Sequence, residues 1–403
     1  MQKINHFWRS LFYVLTVLII FSGCKTDDVI EDIKSVDYKY FKESTALSSF
    51  TKQQLQTAAA LGGYSNFVPI IENGIVLYKI TYKTTFQGDE IEASGLVVVP
   101  DIAGSYPLLS GQHGTIFSNA QAPSAFSLSQ GLSGLEFFGA GGFIAIIPDY
   151  IGFGSSKEIL HPYYNSEYTA SAIVDMIKAA KEFLGKEKIG FTDKLFLTGY
   201  SEGGYATLAA QKSIEGTPID GLSLTAVAAG AGGYNINGVM DEIVKNDTYD
   251  SPAYLAFIIY SYIKTNNWTE PLTDFFKEPY ASKIPDLLDG SKSQGQVNAE
   301  LTENLEDLFS DGFLTAIRSG ARLTLTAEFS KNSVNDFVPQ QPLKLYHSPN
   351  DGIIPIVNSE TTAATMIASG ATSVEFVAIG GDSHGGAVFP MYELVIPWFQ
   401  SLK

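Results

Sequence analysis

The stretch of sequence that decides the fold is 194–211, KLFLTGYSEGGYATLAAQ. Residues 194–198 are a short apolar run typical of a buried strand, and residues 205–211 are good helix formers. Between them lies the G-x-S-x-G pattern of 199–203, which requires a strand before it and a helix after it. The sequence therefore predicts a strand, a sharp turn with Ser201 at its apex, and a helix.

Glycines on both sides of Ser201 indicate a strained turn, because larger side chains would block the chain there. Such a turn lifts the Ser201 hydroxyl clear of the sheet edge. The N-terminus of the following helix favours negative charge that develops beside it. Ser201 is thus predicted to be the nucleophile of an acyl-transfer reaction.

The composition indicates a globular protein. The chain has 403 residues, of which 45% are hydrophobic and 17% charged, enough for one large core with an insertion or for two domains. A formal net charge of −17 and the lack of a basic stripe argue against a nucleic-acid partner.

The N-terminus has the features of an export signal. Basic residues precede an apolar run, Leu11–Phe21, which is shorter than a transmembrane helix normally requires. Ser22-Gly23-Cys24 ends this run and resembles a bacterial lipobox. We predict a signal peptide over 1–23, a lipid on Cys24 that holds the protein at the bacterial cell envelope (outer membrane or cell surface), and a tether over 24–50. The alternative is an ordinary secretory signal and a secreted protein.

Cys24 is the only cysteine, which excludes an intrachain disulfide and a zinc site built on thiolates. No two histidines have ligand spacing on one helix, so neither a metal nor a cofactor is predicted. The oligomeric state is left open.

Beyond the N-terminal segment, the order of predicted strands and helices is typical of an α/β protein. Ile75–Phe86 and Glu90–Pro100 predict a hairpin. After Pro107, short apolar strands alternate with helical stretches, which predicts a mostly parallel central sheet flanked by helices. The strands are expected at Leu108–Gln112, Phe143–Pro148, Leu195–Thr198, Leu222–Ala229, Leu343–His347 and Val374–Ile379.

About a hundred residues interrupt this alternation. They have helical patterning without a clear strand, and Pro252–Ile263 is dense in Tyr, Phe, Ile and Leu. Since the strand pattern resumes at Leu343, we predict a helical cap over 233–341 inserted into a core of 51–232 and 342–403. The alternative is a set of ordinary surface helices.

A serine nucleophile needs a histidine base and an acid that orients it. In the hydrolase order the acid and then the histidine follow the serine, and of five histidines only His347 and His384 follow Ser201. His384 lies in a glycine-rich loop after the last strand and is the predicted base. Asp351, just beyond the preceding strand, is the predicted acid.

Two rival assignments are weaker. Asp382 is too close in sequence to His384 to span the required geometry easily. The segment 381–385 repeats the G-x-S-x-G pattern, but no histidine follows it, and Pro390 interrupts the stretch a helix would need. Ser383 is therefore a poor candidate nucleophile.

Two backbone N–H groups should stabilise the developing oxyanion. One is predicted from Glu202, the residue after the nucleophile. The second is predicted from His113 or Gly114, in the glycine-containing loop after Leu108–Gln112, and the sequence does not separate the two.

Two other segments are less decisive. Asp149, in the glycine-rich 149–155, is interpreted as architectural, with its side chain bonded to local backbone. His161, in the following His161-Pro162-Tyr163, could belong to the scaffold or to a pocket wall.

Pro148 to Gly154, His161 to Tyr163, Gly199 to Gly204 and the Asp351-x-x-Ile354-Pro355 segment together resemble the α/β-hydrolase superfamily, and within it bacterial secretory lipases and esterases. The resemblance implies Ser201 as nucleophile, Asp351 as acid, His384 as base, and a cap before the acid strand. The chain departs at Glu202, where many relatives carry glutamine or glycine.

The predicted function is therefore a serine hydrolase that cleaves carboxylic esters, an esterase or lipase. The same triad would serve a peptidase or an esterase of polysaccharide acetyl or feruloyl groups, and Glu202 and Glu167 are conceivable anchors for a peptide terminus. A non-catalytic binding lipoprotein is the third hypothesis.

Overall fold

One mixed sheet organises the computed structural model, which describes residues 38–62, 64–127, 132–321 and 323–403. The described residues form nine strands: β1 (Phe41–Phe50), β2 (Ile75–Phe86), β3 (Asp89–Pro100), β4 (Ser105–Gln112), β5 (Ile144–Pro148), β6 (Gly190–Tyr200), β7 (Ser223–Gly230), β8 (Leu343–His347) and β9 (Val374–Ala378). Their order across the sheet is β1-β2-β3-β5-β4-β6-β7-β8-β9. The first three strands are antiparallel and β4 to β9 are parallel, as the alternating pattern predicted.

Helices connect the parallel strands and cover the sheet. They are α1 (Lys52–Leu61), α2 (Glu136–Ala140), α3 (Ser166–Lys186), α4 (Glu202–Gly216), α5 (Ile236–Ile243), α6 (Pro252–Thr265), α7 (Tyr280–Leu287), α8 (Gln294–Asn298), α9 (Leu305–Leu308), α10 (Asp311–Arg318), α11 (Thr324–Asn332), α12 (Ile356–Ala368) and α13 (Val388–Gln400). Short 3-10 turns lie at Ser65–Phe67, Asn119–Gln121, Pro123–Ala125, Gly154–Ser156, Leu272–Asp274 and Gly385–Ala387.

Both faces of the sheet are covered by apolar cores. In β5, Ile144 and Ile146 point into one core, while Ala145 and Ile147 point into the other. This two-sided burial is why β5 is an unbroken apolar run instead of an alternating one. Because both faces of the sheet are buried, a site open to a substrate is expected in the loops at the carboxyl ends of the parallel strands.

The predicted tether over 24–50 is wrong in its last part, because 41–50 form the edge strand β1. This strand pairs with β2 through backbone hydrogen bonds, and Phe41 is its one buried residue. An edge strand with so little buried surface has no alternating apolar pattern to reveal it. Glu182 of α3 fixes its start by accepting the N–H groups of Tyr40 and Phe41 at 2.9 and 2.7 Å.

Between β7 and β8 the described residues form seven helices, α5 to α11, and no strand beyond two isolated bridges. Large apolar side chains of this segment belong to the same core as the helices α3 and α4, among them Phe257, Tyr262, Phe276, Phe309 and Phe329. The segment is therefore packed on the body of the protein. Its limits as a cap, 233–341, remain a prediction.

The predicted signal peptide of 1–23, Cys24 and the start of the predicted tether lie outside the described residues. Among the residues that are described, no helix has both the length and the apolar character needed to cross a membrane.

Candidate active site

The turn between β6 and α4 places Ser201 in a backbone conformation that few residues adopt, with φ 61° and ψ −127°. The helix behind it approaches two other strands very closely. A Cβ on Gly203 would lie 2.1 Å from the Gln112 carbonyl oxygen, and one on Gly204 would lie 2.3 Å from the Gly230 carbonyl oxygen. These two glycines are therefore required for α4 to start directly behind Ser201.

The structure brings Ser201, His384 and Asp351 together at the carboxyl edge of the sheet, in the loops after β6, β9 and β8. His384 Nε2 lies 2.7 Å from Ser201 Oγ, and His384 Nδ1 lies 2.6 Å from Asp351 Oδ2. The Asp351 side chain is fully buried, whereas the His384 side chain keeps 11% of its surface exposed. This hydrogen-bonded line is the geometry a serine nucleophile needs.

Asp351 is held by four donors. Its Oδ1 accepts the N–H groups of Ile353 and Ile354, each at 2.9 Å, and its Oδ2 also accepts from His347 Nε2 at 3.1 Å. Burial alone would raise the pKa of Asp351, but the hydrogen bonds from His347 and His384 hold that pKa well below its usual value. The acid therefore stays ionised beside His384.

His347 is a site residue that the sequence analysis considered only as a base and set aside. Its Nε2 faces two acceptors, Asp351 Oδ2 and the Ile354 carbonyl oxygen at 3.0 Å, so Nε2 carries the hydrogen. Its Nδ1 then accepts from the Ser359 hydroxyl at 2.7 Å. One feature of the sequence could have indicated this role. His347 ends a predicted strand four residues before Asp351, a spacing that lets one turn bring the two side chains together.

The loop after β4 lies against the nucleophile. A Cβ on Gly114 would be 3.6 Å from Ser201 Cβ, so backbone reaches the site where a side chain would crowd it. His113 is buried; its Nδ1 lies 2.7 Å from the Gly114 carbonyl oxygen, and burial lowers its pKa. The structure thus places His113, Gly114 and Glu202 around Ser201.

Glu202 and His161 form a buried pair that sequence reasoning did not find. Glu202 Oε1 lies 2.7 Å from His161 Nε2, and the side chains are 2% and 3% exposed. Because 41 residues separate them, no local pattern connects the two. His161, which could have belonged to the scaffold or to a pocket wall, thus has its buried ring bonded to the residue after the nucleophile.

Asp149 does not bond local backbone as predicted. Its carboxylate accepts from the Ser94 hydroxyl at 2.6 Å and from the Ser124 N–H at 2.8 Å, in segments far away in sequence. The role is architectural, but it joins β3, the 3-10 turn at 123–125 and the end of β5. Among the described residues, no group of three or more His, Cys, Asp or Glu side chains is placed to hold a metal ion.

An apolar cleft of about 530 Å³ opens onto Ser201. Helices α5 and α6 form most of its wall, together with the residues that follow Asp351. Its lining includes Ile236, Val239, Met240, Leu255, Ile258 and Ile353. A second, larger groove of about 1010 Å³ is lined by His113 and Gly114, by apolar side chains that include Ile116 and Phe126, and by a few polar ones such as Gln121.

The sheet topology, the strained serine turn and the Ser–His–Asp line define a protein of the α/β-hydrolase class. The chain belongs to the secretory lipase family, whose model matches residues 139–401. At the level of the family, this confirms the predicted class of enzyme, an esterase- or lipase-like hydrolase of carboxylic esters.

Solved structures confirm the fold. A Legionella pneumophila protein described as a hydrolase superposes with a TM-score of 0.82 at 27% identity, covering 90% of this chain and 98% of the other. The ligand-bound rice cell wall degrading esterase LipA of Xanthomonas oryzae superposes with a TM-score of 0.80 at 25% identity, covering 90% and 97%. Lipase 10 of Candida albicans is 25% identical over 272 residues, 64% of this chain, and the match spans about half of the fungal protein (55%).

Proposed function

We propose that this protein hydrolyses carboxylic esters through an acyl-enzyme on Ser201. The observation that carries the proposal is the unbroken line from Ser201 Oγ through His384 to Asp351, with contacts of 2.7 and 2.6 Å. The family and the esterase neighbours support the same chemistry.

In the proposed reaction the Ser201 oxygen attacks the ester carbonyl carbon while His384 Nε2 takes the hydroxyl proton. The N–H of Glu202, with one from His113 or Gly114, stabilises the oxyanion of the tetrahedral intermediate. Its collapse releases the alcohol, which leaves with the proton from His384. Water then attacks the acyl-enzyme by the same route and releases the acid.

The apolar cleft at Ser201 indicates which part of the ester it binds. Aliphatic side chains of α5 and α6 line it, so we propose that it takes the acyl group. Each buried methylene adds about 0.8 kcal/mol, which corresponds to about fourfold in kcat/KM when the same contact persists in the transition state. We expect p-nitrophenyl esters from acetate to palmitate to show this rise and then a plateau or fall once the cleft is full.

Met240→Trp should shorten the preferred acyl chain, because Met240 forms part of the cleft wall. We expect kcat/KM for long-chain esters to fall at least tenfold while that for acetate stays within about threefold. Leu394→Trp is the matched control, since Leu394 is 49% exposed on α13. An unchanged chain-length profile in Met240→Trp would contradict the assignment of the cleft.

A second candidate, an esterase of acyl groups on plant polysaccharides, is favoured by the groove beside His113 and Gly114, which has room for a bulky alcohol portion. Thr115, Gln121 and Ser133 offer polar groups among the apolar residues that line this groove, and the Xanthomonas relative is a rice cell wall degrading esterase. Methyl ferulate and acetylated xylan, added to the ester series, separate this candidate from a general esterase. A peptidase is disfavoured because the carboxylate of Glu202, one conceivable anchor, is paired and 2% exposed.

We further propose that lipid on Cys24 anchors the enzyme to the cell envelope, with the secretory family supporting export alone. Cys24→Ser should move the protein from the detergent phase to the aqueous phase in Triton X-114 partitioning, with kcat/KM unchanged. If the protein is anchored by other means, Cys24→Ser will stay in the detergent phase. That result would refute the lipoprotein hypothesis.

A further inference from the structure

The residue after the nucleophile carries a buried carboxylate. The Glu202 side chain starts in the first turn of α4, and among the described residues it pairs with His161. An ionised carboxylate this close to the oxyanion site would oppose the negative charge that the backbone N–H of the same residue is proposed to stabilise. Its charge therefore matters for the reaction.

The hydrogen-bond partners of His161 determine how many protons the His161–Glu202 pair holds. His161 Nδ1 lies 2.6 Å from the Ile151 carbonyl oxygen, which can only accept, so Nδ1 carries a hydrogen. The 2.7 Å contact between Nε2 and Glu202 Oε1 needs one further hydrogen, either on the imidazole or on the carboxyl group. Both arrangements give the pair a net charge of zero.

The side chains of the pair are only 2% and 3% exposed, so water screens their charges weakly. Rings of Tyr150, Phe153, Tyr163 and Phe257 lie with their centroids between 5.1 and 5.9 Å from that of His161. The other titratable groups that feel the Glu202 charge are phenols and one neutral imidazole: Tyr150, Tyr163, Tyr164, Tyr205, Tyr254 and His113. None of them supplies a compensating cation.

His161 is also fixed from the cap side. The Ser261 hydroxyl of α6 donates to the His161 carbonyl oxygen at 2.7 Å and accepts the Tyr163 N–H at 2.8 Å. The imidazole is thereby held between α6 and the start of α4.

We infer that His161 is a positioning residue that keeps Glu202 neutralised and oriented beside the oxyanion site, with the acyl transfer itself left to Ser201, His384 and Asp351. The inference rests on the proposed function. It predicts that the removal of His161 harms the reaction chiefly by leaving a buried negative charge, and that removing this charge restores activity.

The test compares wild type, His161→Gln, Glu202→Gln and the double variant. Glutamine at 161 can still donate to Glu202 but cannot carry the compensating proton. We measure kcat and KM on the best ester, and the rate at which a p-nitrophenyl alkylphosphonate modifies Ser201, because that reaction also develops charge in the oxyanion site. Thermal unfolding checks that each variant folds.

His161→Gln is expected to lower kcat and the phosphonylation rate about 10- to 100-fold at pH 8, with KM changed less than about threefold. The double variant should recover most of this loss, and Glu202→Gln alone should lose less than His161→Gln.

A double variant no faster than His161→Gln would overturn the inference, as would a His161→Gln enzyme within threefold of wild type. Should His161→Gln not fold, His161→Asn in both backgrounds gives the same comparison. Wild-type protein that neither hydrolyses esters nor reacts with the phosphonate would instead refute the proposed function, and the inference with it.

Discussion

Ser201→Ala is expected to lower kcat by roughly 10⁴- to 10⁶-fold, because the variant lacks the proposed nucleophile. Ser201 Oγ is the atom that faces His384 Nε2 at 2.7 Å, and the variant keeps only oxyanion stabilisation and binding. Folding should be little affected. Alanine meets the same backbone strain as serine at φ 61°, and the hydroxyl is partly exposed.

The chain supplies its own control for this experiment. Ser383 lies in the second G-x-S-x-G pattern, and its hydroxyl is exposed and bonded to Asp382 at 3.1 Å. Ser383→Ala should keep kcat within about threefold of wild type, and both variants should have the wild-type melting temperature. Ester turnover by Ser201→Ala within a few-fold of wild type, or an equal loss in Ser383→Ala, would remove Ser201 as nucleophile.

The features that the sequence predicts and the structure brings together share a physical basis. A strand, a strained turn and a helix are local, so 194–211 carries their full pattern. The acid and base were predicted because parallel strands bring their carboxyl ends to one edge, which places the loops after β6, β8 and β9 side by side. Chain order left His347 and His384 as candidate bases, and the positions of His384 and Asp351 in loops after strands then favoured these two residues.

The features that were missed depend on contacts between distant segments. The pairing of Glu202 with His161 and that of Asp149 with Ser94 and Ser124 have no periodicity and no fixed spacing. Edge strand β1 is held to β2 by backbone hydrogen bonds. Its mostly exposed side chains therefore form no sequence pattern that would predict a strand. Such contacts can be found only once the fold has brought the segments together.

The missed contacts surround the predicted ones. His347 donates to the acid, and His161 pairs with the residue after the nucleophile. Each supporting histidine therefore contacts a carboxylate that lies beside the proposed reaction: the acid Asp351 or Glu202. The structure therefore joins the three expected residues to a buried hydrogen-bond network on either side of them.

Asp351→Asn is expected to lower kcat about 10⁴-fold while the protein stays folded. All four groups that contact the Asp351 carboxylate are donors: two backbone N–H groups, His347 Nε2 and His384 Nδ1. An asparagine has one oxygen to offer them, so its NH₂ group must face donors on one side.

With the amide oxygen toward the N–H groups of Ile353 and Ile354, the NH₂ group points at His384 and His347. His384 Nδ1 must then become an acceptor, which moves its hydrogen to Nε2, and Nε2 can no longer take the proton of Ser201. The opposite orientation keeps the tautomer but sets the NH₂ group against two backbone N–H groups and removes the negative charge that stabilises the imidazolium. Either orientation therefore slows proton transfer.

The measurement is kcat as a function of pH for Asp351→Asn and for Asp382→Asn, the rival acid. The Asp382 carboxylate contacts the exposed Ser383 hydroxyl, and its variant should keep kcat within about threefold of wild type. Activity of Asp351→Asn should rise steadily with pH, as hydroxide replaces the base that the wrong tautomer has disabled. An Asp351→Asn enzyme within tenfold of wild type would show that His384 takes its tautomer from another group, and equal losses in the two variants would show that the acid is shared.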